Sequence, residues 1–225
     1  MMSEPDTDVL SDFSAAAGKF VPRARKLLSS AMISAAMLQS PGLAPEASAA
    51  MQRRLTERLR DIESLLSDLS VLSSLKSDPA DRVSFTEIVR SAVRGADALP
   101  LHIADIKAEI PEDEIFVRSP RTALSASVMS LIRNAAEAHA TEIRISLSSS
   151  DCMASVVVAD NGDGMSDAVG RRCTEPFFTT RDTGTGLGLA IVSGTAKLSG
   201  GTLRLESREG AGSVFMLSLP LAHSM

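Results

Sequence analysis

The sequence predicts an α+β protein in two parts: a long helical hairpin, then a mixed sheet with helices on one face. Three observations carry this. Residues 9–76 repeat apolar side chains at spacings of three and four, as two helices do. A polar, proline-containing stretch, "KSDPAD", follows, with the linker placed at 77–81. Beyond it, alternating strand patterns mix with helical ones in no regular βαβα order, which suggests an α+β sandwich.

Residues 1–8 are polar and expected to be loose. In the first helix Ala24, Leu28, Ala31, Ala35 and Leu38 form the apolar stripe. In the second, Met51, Leu55, Leu59, Ile62, Leu66, Leu69 and Leu72 do so. "SPGLAP" (40–45) separates them with a Pro-Gly turn signal, short enough for an antiparallel hairpin. One hairpin buries little apolar surface alone, so a homodimer forming a four-helix bundle is expected; the alternative is a hairpin packed on the rest of its own chain. In the second part, 82–222, residues 84–96 and 121–139 read as helices. "HIADIKAEI", "EIFVRS", "TEIRISLSS", "MASVVVAD", "GTLRLES" and "SVFMLSLPL" read as strands.

Composition narrows the partners. A net charge of −5, with no Trp or Tyr, argues against a nucleic-acid surface. No apolar run is long enough for a membrane span, and the acidic start, "MMSEPDTD", lacks a signal-peptide pattern. Cys152 and Cys173, alone and far apart, form neither a zinc motif nor a disulfide framework, so a cytoplasmic protein is expected.

Four stretches carry chemistry. "SLIRNAAEAH" sets Asn134 in an apolar helix, where it is either a core amide satisfied by backbone or an oxygen ligand suited to Mg2+. In "VVVADNGDGM" a strand ends at Asp160 and breaks into Asn161-Gly162-Asp163-Gly164. This is either a hairpin turn or a carboxylate placed to accept from an amino group such as adenine N6. On the second reading Gly162 and Gly164 let a flat base approach the backbone. "EPFFTT" (175–180) has adjacent Phe177 and Phe178 in a polar region, either a lid over something flat or a loop anchored by two aromatics. "DTGTGLGLAIV" (182–192) has Gly184, Gly186 and Gly188 before a helical run, a place to hold a phosphate. It is neither a P-loop nor a good dinucleotide fingerprint, because no Lys-Ser/Thr follows and the spacing is G-x-G-x-G.

In order and spacing these four stretches resemble the N, G1, F and G2 boxes of the GHKL ATPase superfamily, which has the Bergerat fold. Within it they look most like the catalytic domain of bacterial sensor histidine kinases. The resemblance covers 82–222, and the closing "SGGTLRLESREGAGSVFMLSLPL" is similar to the family's terminal strands. It implies an ATP site in which Asn134 coordinates Mg2+, Asp160 recognises adenine, and Gly162 and Gly164 shape the base pocket. Phe177, Phe178, Gly184, Thr185, Gly186, Leu187 and Gly188 complete it, with the glycine N–H groups offered to the phosphates. The implied partners are a second copy of the chain and a response regulator, a partner histidine kinase or a phosphotransfer protein.

The pattern breaks at the acceptor. The family places a His on the first hairpin helix, followed by an acidic residue and then Arg-Thr/Asn-Pro. Here the histidines are His102, His139 and His223, and none lies in 1–80. "KFVPRARKLLSSAMISAAML" still resembles that helix, especially in nitrogen- and flagellum-regulating kinases. Anchored on Arg25, the alignment puts Pro22 at the acceptor, Arg23 at the acidic neighbour, Lys26 at the Thr/Asn and Leu27 at the Pro. Proline is no nucleophile, and Arg23 cannot serve as a general base. Pro22 should also kink the helix or mark a new start. Transfer to this helix is therefore not expected, which leaves transfer in trans or a regulatory pseudokinase. Ser130, four residues before Asn134, stands where gyrase-like, Hsp90-like and anti-sigma serine kinases carry a Glu base, and weighs against those activities.

Overall fold

The computed structural model describes residues 7–40, 42–75, 79–96, 105–181 and 184–222, with the backbone alone for 7–19. It falls into two units. One holds residues up to 69 with 176–187, and the other holds 70–175 and everything from 188 on.

In the first unit, α1 (Thr7–Leu38) and α2 (Pro45–Ser74, whose last turn belongs to the second unit) occupy the expected hairpin positions. Gly42, at φ +80°, makes the turn that an L side chain would resist. Pro45 opens α2, where a missing N–H costs nothing. Pro41 lies outside the described residues. Pro22 does not mark a new start. The helix continues through it, since one lost hydrogen bond can be carried by a helix of 32 residues.

The buried faces differ from the expected stripes. Among the described side chains, Leu27, Ala31 and Ser34 are the buried positions of α1, and Leu65 and Asp68 those of α2 within this unit. Of the expected stripe in α1 only Ala31 is fully buried, and Leu28 is half exposed, as are Leu59 and Leu66 in α2. The stripe pattern marks both the face used within one chain and a face left outward; periodicity alone cannot divide them.

The second unit is the α+β part. Its five-stranded sheet runs in the order β2-β4-β5-β7-β6, built from β2 (Ile106–Glu109), β4 (Ile143–Ser150), β5 (Met153–Asp160), β6 (Thr202–Ser207) and β7 (Ser213–Pro220). β2 is parallel to β4, and the other neighbours are antiparallel. Period-two alternation puts Ile145, Val158 and Phe215 in one cross-strand row and Leu147, Val156 and Leu217 in the next. These rows are buried in one core with α3 (Phe85–Ala96) and α4 (Arg121–Glu137). α3 contributes Phe85, Ile88, Val89 and Ala92, and α4 contributes Leu124, Val128, Leu131 and Ile132, both at helical spacing.

A two-stranded sheet pairs β1 (Asp81–Ser84) with β3 (Phe116–Ser119). The sequence reading missed β1, because one buried residue, Val83, in four gives no alternation to read. It also missed α5 (Asp167–Gly170), a single turn. At the sheet edge Lys107 Nζ pairs with Glu142 Oε2 at 2.9 Å; that bond raises the Lys107 pKa and lowers that of Glu142. Among the described residues no helix is long and apolar enough to cross a membrane.

Candidate nucleotide site

Asp160 is the last residue of β5, and its carboxylate is held by its own turn. Gly162 N–H donates to Oδ1 at 2.9 Å, while Oδ2 is shielded from solvent. Asn161 fastens the same turn to the strand beside it. Its Oδ1 accepts from Thr141 N–H at 2.9 Å and Glu142 N–H at 3.0 Å, and its Nδ2 donates to the Thr141 hydroxyl at 2.9 Å. The segment is not a hairpin turn, since β5 pairs with β4 and β7 and the chain passes on to α5.

The two glycines of this turn are needed for a different reason from the one read in the sequence. A Cβ on Gly162 would stand 2.3 Å from the Ala138 carbonyl oxygen. On Gly164, at φ +65°, it would stand 2.0 Å from that of Arg208. The room they leave is filled by protein backbone, not left open for a base. Asp163 N–H to the Ala138 carbonyl (2.8 Å) and Gly210 N–H to the Asp163 carbonyl (2.7 Å) close the same packing. The glycines thus fix the turn that carries Asp160.

Asn134 lies half-buried on α4. On the same helix Ser130 is buried and faces the first residue of α6 (Gly188–Leu198). A Cβ at Gly188 would come within 3.3 Å of Ser130, so Gly188 permits the close approach of the two helices. Ser127 Oγ and Thr195 Oγ1, both buried, join them by a 3.0 Å hydrogen bond. This holds the N-terminus of α6, with its outward N–H groups, beside α4. His139 follows α4 at φ +58°, exposed, with Nδ1 2.7 Å from Asp163 Oδ2; His102 and His223 lie outside the described residues.

In the first unit the Phe pair and the glycine loop come together. Phe177 N–H donates to the Gly186 carbonyl at 2.7 Å. Gly186 has φ +69°, and a Cβ there would stand 2.6 Å from the Phe177 carbonyl carbon. Phe177 itself has φ +64°, costly for an aromatic residue and found where surroundings over-determine the backbone. Leu187 is fully buried, and its N–H reaches Thr185 Oγ1 at 3.2 Å. Asp182 and Thr183 lie outside the described residues. The loop also meets three residues that the sequence reading did not single out as site residues. Arg23 Nη2 donates to the Gly184 carbonyl, Thr185 Oγ1 donates to Asp68 Oδ2 at 2.8 Å, and the Phe20 and Phe177 rings meet edge to face at 6.5 Å. No local pattern signals pairs separated by more than a hundred residues.

Residues 120–223 match the family described as Histidine kinase-, DNA gyrase B-, and HSP90-like ATPase. That match and the strand and helix order support a class: a GHKL-type ATP-binding domain over these residues. The particular likeness is to sensor histidine kinases. Sensor protein kinase FleS of Pseudomonas aeruginosa is 32% identical over 204 residues, 88% of this chain and 49% of FleS. Sporulation kinase C of Bacillus subtilis is 29% identical over 167 residues, 72% of this chain and 39% of that kinase. The chain thus spans half or less of the length of these relatives. Among solved structures, the mycobacterial sensor histidine kinase MprB aligns with TM-score 0.55 and 25% identity, over 63% of this chain and 97% of that one. The nucleotide-free catalytic domain of histidine kinase ThkA aligns with TM-score 0.54 and 28% identity, over 62% and 94%. The chain is sensor-histidine-kinase-like, and its GHKL domain implies ATP binding.

The donor set fits that group. Within the second unit, a carboxylate held as an acceptor suits the amino edge of adenine and a half-buried amide suits a hard cation; within the first, by itself, a glycine loop suits phosphate.

Proposed function

We propose that this chain is an ATP- and Mg2+-binding member of a two-component pathway whose phosphoryl transfer goes in trans, to a histidine on a partner protein. The observation that carries it is the coexistence of all four nucleotide stretches with a first helix that has no histidine, Pro22 standing where the resemblance puts the acceptor. When bound, ATP with Mg2+ supplies the transferable γ-phosphoryl group and ADP as leaving group. The chain's own residues position it. Asp160 would accept from the base, and Asn134 would offer its amide oxygen to Mg2+. Gly184, Thr185, Gly186, Leu187 and Gly188 supply the phosphate loop, and Phe177 and Phe178 the lid. Positioning and charge neutralisation are most of what phosphoryl transfer asks of a protein. Ser130 offers no carboxylate to activate water, so futile hydrolysis should be slow.

A homodimer belongs to this proposal. Leu28, Met32, Ile33, Met37, Leu59 and Leu66 are all exposed on α1 and α2, apolar surface of the kind that a second copy of the chain would cover. Histidine kinase relatives suggest dimerisation and response-regulator partners in general.

A second reading is favoured by the bonds from Arg23 and Asp68 to the glycine loop. It makes the chain a pseudokinase that binds a response regulator or kinase according to nucleotide state. Incubation with γ-labelled ATP, Mg2+ and candidate partners separates the two. Acid-labile label on a partner is the result expected for transfer in trans. ATP-dependent complex formation without label would establish the regulator instead. Failure to bind ATP at millimolar Mg2+ would end both.

A further inference from the structure

β6 is an edge of the five-stranded sheet: β7 lies on one side of it, and among the described residues no strand lies on the other. The register shows which backbone groups face that open side. Ser207 stands opposite Ser213, so the next pair is Arg208 with Gly212, and there Arg208 N–H donates to the Gly212 carbonyl at 3.4 Å. The polar groups of successive residues turn to opposite sides of a strand. Those of Arg204 and Glu206 therefore turn to β7, and those of Leu203, Leu205 and Ser207 turn to the open edge.

Proteins commonly blunt such an edge with a proline or a bulge. β6 has no proline, and its pairing with β7 is unbroken from Thr202 to Ser207. Its charges, Arg204 and Glu206, are exposed on the face away from the core, and neither makes an ion pair among the described residues. Leu203 and Leu205 are half-buried on the core side. α5 leaves space there: an open groove of about 260 Å3 lies beside Leu205, lined also by Met165, Gly170 and Ser207.

A second β6 is the strand that fits. Antiparallel pairing across a twofold axis sets edge-facing residues opposite one another. Centred on Arg204 it would oppose arginine to arginine, and centred on Glu206 glutamate to glutamate. Centred on Leu205 it sets Arg204 against Glu206 of the second copy, twice, with Leu205 against Leu205 and Leu203 against Ser207. The charged pairs then fall at the positions without backbone bonds, where facing side chains stand closest.

We propose that β6 is a self-pairing edge through which two copies of this chain join their sheets into one, with Arg204 and Glu206 fixing the register. The surface belongs to the second unit alone, so the proposal stands whether or not the hairpins dimerise or nucleotide binds. Two strands make a small interface, and the association is accordingly weak.

Residue-resolved amide exchange of the full-length chain, dilute and concentrated, tests it. On concentration the amides of Leu203, Leu205 and Ser207 should slow about 10-fold, while those of Arg204 and Glu206, already bonded to β7, stay as they were. A hairpin dimer would not produce that alternation. Arg204→Glu opposes like charges twice, so it should weaken the pairing about 10-fold and erase the concentration dependence. Adding Glu206→Arg to it restores opposite charges and should bring the alternation back, a rescue that a fold defect would not show. Exchange at 203, 205 and 207 that ignores concentration in the wild type would overturn self-pairing and leave the edge to a strand from another protein. Concentration dependence that survives Arg204→Glu, or that the second substitution fails to restore, would overturn the register.

Discussion

Asp160→Asn should abolish useful ATP binding, lowering affinity about 100-fold, and leave the fold almost as stable as before. The substitution keeps an oxygen that can accept from Gly162 N–H, the 2.9 Å bond that shapes the turn. What it replaces is the second acceptor, Oδ2, by a donor. A donor facing the amino group of adenine leaves two N–H groups opposed in a shielded site. That costs the lost bond and the stranded partner together, about 2–3 kcal/mol. Titration calorimetry with ATP and Mg2+ and a thermal melt read the two effects separately. Asn161→Ala is the matched control. It removes the bonds to Thr141 and Glu142, so it should lower the melting temperature more than Asp160→Asn does, and weaken ATP less. If both variants bound ATP like the wild type, Asp160 would not be the base-recognising residue.

Gly164→Ala should be strongly destabilising in the second unit. The backbone sits at φ +65°, and the new Cβ would meet the Arg208 carbonyl oxygen at 2.0 Å and that of Gly212 at 2.9 Å. Neither neighbour is the flexible end of a side chain, so backbone must move. Left-handed strain and overpacking together come to about 3–5 kcal/mol, which lowers the melting temperature by roughly 10–20 °C in a domain of this size. Gly210→Ala isolates the first part. It shares the conformation, at φ +75°, but its Cβ would meet nothing within 4 Å, so a loss of about 1 kcal/mol is expected. Equal melting temperatures for the two variants would show that the packing around the Asp160 turn is looser than described.

The pair also shows where the sequence was legible. "DNGDGM" marked a strand end and a carboxylate on a special turn, and the structure has both. Its glycines were read as room for a ligand, since a glycine in sequence shows only that a side chain is missing. What fills the space, here Ala138 and Arg208, comes from segments 24 and 44 residues away from Gly162 and Gly164. The sheet strands β4, β5 and β7 were readable because one face is buried and alternation is clean. β1 was not, having a single buried residue.

The hairpin divides in the same way. Two long helices separated near residues 40–45 followed from periodicity and the Pro-Gly signal, and α1 and α2 are the helices found there. Which apolar positions face inward did not follow, because the apolar stripes are wider than the faces that are buried. Leu65 and Asp68 are buried where Leu59 and Leu66 were expected. Asp68 could not be foreseen as buried at all, since the hydroxyl that satisfies it, on Thr185, lies 117 residues further along the chain. The missing histidine, by contrast, is a matter of sequence alone, and the chemistry proposed here turns on it.

The most direct measurement is therefore the fate of the γ-phosphoryl group when the purified chain meets γ-labelled ATP and Mg2+, first alone and then with a histidine-bearing partner. The expected result is bound ATP, no acid-labile label on this chain at any time, and label on the partner once it is added. Acid-labile label on this chain in the absence of any partner would contradict the account.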